Sequence, residues 1–97
     1  MLDLQKPFEF DWDQGNVIKN LIKHEVECRE AEEAFLDDNI LVNEDVIHSS
    51  REKRYHLVGK NYSGLILHIS FTQRQNKIRI ISARRADKKE RNLYEEK

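Results

Sequence analysis

"GLILHISFTQRQNKIRIISARR", residues 64–85, holds two strand-length apolar runs joined by a short polar turn. In the first run Leu65, Leu67, Ile69 and Phe71 fall on one side of an extended chain, and Ile66, His68, Ser70 and Thr72 on the other, because side chains alternate with period two. The second run carries Ile78, Ile80 and Ile81, apolar on both sides, which predicts a central strand. "QRQN" between them is too short for a crossover, so the two runs form an antiparallel pair.

Reading outward, "ILVNEDVI" and "KRYHLVG" are two more strand-like runs, linked by the polar turns "HSSRE" and "KNYSG". Tyr55 and Leu57 oppose Arg54 and His56, so two neighbouring strands each present a polar face. Aligned in register, they give an open sheet surface containing Arg54, His56, His68 and Ser70. Upstream, "FEFDW" (residues 8–12) reads as a short first strand, and Asp13 suits the N-cap of a helix. Val17, Ile18, Leu21 and Ile22 form an apolar stripe at helical spacing, with Asn16, Lys19, Asn20 and Lys23 opposite and His24 at the edge. A second helix, about residues 29–36, turns Ala31, Ala34 and Phe35 inward. Asp87 as cap and Glu90 in the first turn open a last helix. The order is β-α-α-β-β-β-β-α: a single α+β domain over residues 1–97, with a small, mainly antiparallel sheet, two N-terminal helices on one face and a C-terminal helix.

Composition narrows the function. Of 97 residues, 38% are hydrophobic and 36% charged, which describes a soluble domain with a thin core. No apolar run is long enough to cross a bilayer and no signal sequence is read at the start, so a cytoplasmic location is expected. The lone cysteine, Cys28, makes no internal disulfide and stands at an ordinary helix start. Residues 1–50 hold four Lys/Arg against thirteen Asp/Glu, while residues 51–97 hold thirteen against five. This asymmetry has two readings: a basic surface built by the second half, as in nucleic-acid binders, or two halves that neutralise each other across the fold. The four histidines lack metal-ligand spacing, and no phosphate-binding glycine loop or nucleophile elbow is present. No metal or other cofactor is expected.

The positive signal is the set Arg54, Arg74, Arg79, Arg84 and Arg85, spread over three consecutive strands and their turns. Guanidinium groups match phosphate oxygens with a planar fork of donors and stay charged at any working pH. The structural alternative is that each arginine pairs with a nearby acid, for example Arg54 with Glu52 or Arg91 with Asp87. Trp12 reads either as a base-stacking residue or as a core plug beside Phe8 and Phe10. Lys23 and His24, at the end of the first helix, suit either its dipole or a charged substrate. His56 and His68 have the titration range for proton transfer and equally suit half-buried strand positions.

"FEFDWD", "NLIKHEV", "AEEAF", "REKRYHLVG", Thr72-Gln73-Arg74 and "IRIISARRADKKER" followed by Tyr94 resemble the BrnT toxins of bacterial type II toxin–antitoxin pairs, over nearly the whole chain. The resemblance implies a fold like that of RelE-type ribonucleases and an activity that inhibits translation by cleaving RNA. It further implies neutralisation by a BrnA-like antitoxin with a ribbon-helix-helix domain. That antitoxin dimerises, giving a heterotetramer that binds operator DNA through the antitoxin and represses its own operon. The family pattern falls on Trp12, Asp13, Asn20, Lys23 and His24, then on Glu52, Arg54, Thr72, Arg74, Arg79, Ser82, Arg84, Glu90, Arg91 and Tyr94. Two positions depart from it: Glu25 stands where the family usually has glycine, and Asn16 where it usually has lysine. In metal-independent cleavage a ribose 2′-OH attacks the adjacent phosphate. That chemistry assigns Arg74, Arg79 and Arg84 to phosphate and transition-state charge, and Lys23 or His24 to proton transfer or substrate orientation. Arg54, Arg85 and Trp12 are the further RNA contacts. The competing readings are an inert toxin-like scaffold that serves as antitoxin partner and co-repressor, and a plain RNA-binding domain.

Overall fold

The computed structural model describes residues 9–96; Phe8, read as the start of the first strand, lies outside them, as do the side chains of Asn20 and Ile22. Eight elements follow the expected order: β1 (Glu9–Trp12), α1 (Gln14–His24), α2 (Cys28–Phe35), β2 (Leu41–Glu44), β3 (Arg54–Lys60), β4 (Ile66–Arg74), β5 (Lys77–Arg85) and α3 (Lys88–Glu95). The sheet order is β1-β5-β4-β3-β2. Strands β2 to β5 form an antiparallel meander, as their short turns require, and β1 joins β5 in parallel.

The alternation in β3 and β4 sets the two faces. Leu57, Leu67, Ile69, Phe71, Ile78 and Ile80 pack beneath α2, whose Ala31, Ala34 and Phe35 are buried against them. Phe35 meets Phe71 and Phe10 edge-on, with ring centres 5.0 and 5.4 Å apart. Helix α2 lies so close to β3 that a Cβ on Gly59 would stand 2.6 Å from the Ala34 carbonyl oxygen.

Strand β5 departs from simple alternation. Ser70 pairs with Ser82 but Phe71 pairs with Ile80, so Ile81 is an extra residue, a β-bulge. The two-sided apolar run read as a mark of centrality is thus partly a bulge. It changes the parity of the strand, so that Arg79 and Arg84, five residues apart, share one face. Arg85, paired with Leu67, belongs to the other.

The apolar stripe of α1 is only partly covered, with Ile18 and Leu21 exposed, because this helix packs chiefly along β5 near one side of the sheet. Asp13 caps it, its Oδ1 accepting from Asn16 N at 3.2 Å. At the other end Glu25 N donates to the Leu21 carbonyl at 3.1 Å with φ +57°. This is the left-handed helix stop at which glycine is preferred. Glycine at this position would meet the backbone requirement that Glu25 meets under strain.

Helix α3 folds back over the second sheet face. Asp87 and Glu90 form a reciprocal capping box. Val58, Ala86 and Tyr94 make a second small core with Leu41 and Ile66, and the Tyr94 hydroxyl donates to Asp37. The surface expected to be open is therefore open at one end only. His68 lies under α3 with its side chain 12% exposed.

Candidate RNA-binding and catalytic site

The uncovered end of the second face is walled by residues 45–53, the connection between β2 and β3. This loop is fastened to the start of β3 by its own polar groups. Asp45 N donates to the Arg54 carbonyl at 2.7 Å, Arg54 N donates to Ser49 Oγ at 3.0 Å, and the Ser49 hydroxyl donates to the Asp45 carbonyl. A cleft of about 410 Å³ results. His48, Arg51 and Glu52 line it from the loop, Arg54, Thr72 and Arg74 from β3 and β4, and the bulged Ile81 from β5.

Its charges are unevenly paired. Arg74 grips Glu52 with Nε and Nη2, at 2.6 and 3.1 Å. That hydrogen bond, with the charges of Arg74 and Arg79, holds the Glu52 carboxyl below its usual range against the opposing effect of burial. Arg79, whose backbone pairs with Thr72, reaches Asp13 at only 3.6 Å. Arg54 and Arg51 have no ion pair among the described residues. The acid expected to neutralise Arg54 is instead taken by Arg74. The Thr72 hydroxyl is buried and makes no hydrogen bond of ordinary geometry among the described residues, although the Glu52 carboxyl feels it weakly. The cleft thus offers the half-buried Arg54 and the exposed Arg51 to an anion, beside a partly neutralised Arg74.

The remaining arginines lie elsewhere. Arg84 pairs across the strands with His68, four residues from Thr72 on β4, or roughly 13 Å at strand rise. It is bound bidentately to Glu90 at 2.8 and 2.9 Å. Burial, followed by the charges of Lys23 and Arg84, lowers the His24 pKa, so the end of α1 belongs to the Arg84 region rather than to the cleft. Lys23 is exposed there. The His68 pKa is lowered first by burial, with Glu90 opposing. Arg85 lies exposed at the strand exit. Trp12 packs against the helix-covered core and donates Nε1–H to Glu32 at 2.7 Å, the geometry of a core plug. The expected constellation therefore divides into Arg54, Arg74 and Arg79 around the cleft, Arg84, Lys23 and His24 along the strand, and Arg85 and Trp12 apart from both.

Between the two regions runs a polar chain in which His56, Ser70 and His68 stand on the face the sequence predicted, joined by Asp45 and His48, whose part in it sequence reading missed. The buried Asp45 carboxylate binds His48 Nδ1 at 2.8 Å and His56 Nε2 at 2.9 Å, and His56 Nδ1 lies 3.2 Å from Ser70 Oγ. The His56 and His68 rings are 4.7 Å apart. Burial would raise the Asp45 carboxyl, but the hydrogen bonds from His48 and the neighbouring histidine charges outweigh it and leave it low. The available signal was an acid three residues before a histidine in a turn. The pairing with His56 depends on β2–β3 register and had no local signature. Among the described residues no three His, Cys, Asp or Glu side chains converge as metal ligands would, and no helix is long and apolar enough to cross a membrane.

The fold is shared with a solved structure, the ribonuclease toxin BrnT of Brucella abortus, at a TM-score of 0.64 and 20% identity, covering 84% of this chain and 99% of that one. No curated protein sequence matches. The family model for the ribonuclease toxin BrnT of type II toxin–antitoxin systems matches residues 12–90, which span every element from α1 to β5 and the start of α3. The chain therefore belongs to the BrnT family of ribonuclease toxins of type II toxin–antitoxin systems.

Proposed function

We propose that this chain is a metal-independent endoribonuclease that inhibits translation by cleaving RNA, with its active site in the cleft between the 45–53 loop and strands β3 to β5. The observation that carries the reading is Arg54: a half-buried guanidinium without an acidic partner among the described residues, in a cleft shared with Arg51 and Arg74 and flanked by Arg79. Such donors bind a phosphodiester and stabilise the extra negative charge of the pentacoordinate phosphorane more strongly than the ground state. RNA supplies its own nucleophile, the 2′-OH, so the chemistry requires no metal. Arg84, Lys23 and His24 hold the RNA strand farther from the scissile phosphate. The partner is an antitoxin of the BrnA type that blocks this face and, as a ribbon-helix-helix dimer, carries two copies of the chain to operator DNA.

The test is induction in a bacterial host without antitoxin, together with incubation of the purified chain with RNA in the presence of a chelator. Growth arrest and RNA fragments ending in 2′,3′-cyclic phosphate are expected. Arg54→Ala should lower the cleavage rate on the order of 100-fold, the usual loss for one transition-state donor. Intact RNA with salt-sensitive binding would instead make the chain a binding module. Glu25 and Asn16, the two departures from the family pattern, lie on or beside α1 and do not line the cleft, which favours the active reading over the inert one.

A further inference from the structure

The geometry points to His48 as the general base of the cleft, oriented by Asp45 to take the 2′-hydroxyl proton at Nε2; this rests on the ribonuclease reading above. His48 is the cleft's histidine, with its side chain 58% exposed and Nδ1 held by Asp45 Oδ2 at 2.8 Å. A carboxylate on Nδ1 places the proton there and leaves the Nε2 lone pair to accept another. His48 N also donates to Asp45 Oδ1, at 3.3 Å, so ring and backbone are fixed by the same buried acid.

The other titratable groups are less suited. His56 has both nitrogens engaged, by Asp45 and by Ser70. His68 is covered by α3, and His24 lies with Arg84 beyond the cleft. Glu52 has both oxygens on Arg74 and is held low, so it is a weak base. The charged groups around His48 are Asp45 and Glu52 on one side and Arg51, Arg54, Arg74 and Arg79 on the other. His56 stands across Asp45.

In the step, a bond forms between O2′ and phosphorus while the bond between phosphorus and O5′ breaks. The 2′-hydroxyl proton moves to His48 Nε2. The departing 5′-oxygen takes a proton from water, and the hydroxide left behind recovers the proton from the imidazolium. The products are a 2′,3′-cyclic phosphate and a 5′-hydroxyl.

The test is single-turnover cleavage of a short RNA and of its analogue with sulfur at the bridging 5′ position, a leaving group that needs no acid. His48→Gln keeps an amide donor for Asp45 but cannot take up a proton. We expect its rate to fall on the order of 100-fold with little change in KM. The native rate should rise with pH and level off as the imidazole becomes neutral, and the variant should lack that rise. The sulfur analogue should leave the deficit in place. Asp45→Asn, a positioning change, should lower the rate with little change in KM, because an amide no longer fixes the proton on Nδ1; a merely structural role would not give that split. Native-like rates for His48→Gln, or recovery of its rate on the sulfur analogue, overturn the assignment while leaving the ribonuclease reading intact. Failure of the native chain to cleave RNA overturns both.

Discussion

Replacing Glu25 by glycine should stabilise the protein. Glu25 has φ +57° at the stop of α1, where an L-residue's Cβ crowds the following carbonyl at a cost of roughly 1–2 kcal/mol. Glycine removes that crowding but gives the unfolded chain more freedom, returning roughly 0.4–1 kcal/mol. A further few tenths come from removing a carboxylate beside the negative end of the helix dipole. The net gain is about 1 kcal/mol, or about 4–8 °C in Tm for a domain of this size. Glu25→Ala separates the terms, since it removes the charge and keeps the Cβ; it should recover only the few tenths. Urea unfolding of the three proteins, read by circular dichroism, measures both differences. If the glycine variant is no more stable than the alanine variant, the strain argument fails.

Other expectations follow from single contacts. Gly59→Ala should destabilise by about 1–3 kcal/mol in urea melts, because the new methyl meets the Ala34 backbone rather than a movable side chain; unchanged stability would mean that α2 is free to shift. In the folded chain burial acts to raise the Glu90 carboxyl, but the hydrogen bond from Arg84 and other contacts outweigh it and hold it below its ordinary 4.5. Its contribution is therefore present above that pH and lost as pH falls further. Glu90→Gln should cost about 1–2 kcal/mol at neutral pH and give a shallower acid unfolding limb. Tyr94 shows the opposite sign: burial, then its hydrogen bond to Asp37, raises its phenol from 10.0 to about 12. Native stability should decline between those values as pH rises, and Tyr94→Phe should decline less over the same window in parallel urea titrations.

Most of the fold was legible because its signals are local. The period-two runs of β3 and β4 assign Leu57, Leu67, Ile69 and Phe71 to the core and Arg54, His56, Ser70 and Thr72 to the second face, as found. Asp13 and Asp87 cap the helices they were expected to cap, since a cap acts across three residues. The family pattern was legible for the same reason, as a string of residue types at fixed spacings.

What the candidate site depends on is not local. Arg54 remains without an acidic partner because Glu52, two residues away in sequence, bonds Arg74, 22 residues on. Which arginine receives that acid depends on where the 45–53 loop folds. Arg79 and Arg84 share a face only because Ile81 bulges out of the ladder, and simple alternation would have separated them. Helix α3 closes one end of the face through Tyr94 and Asp37, 57 residues apart. Asp45 meets His56 only when β2 and β3 are in register. Residue order by itself determined the strands, helices, caps and family of this protein, because those arise from neighbours a few positions apart. Tertiary structure alone decided which charges are neutralised and which stay free in the cleft, because ion pairs form in space between groups that local spacing leaves unmatched.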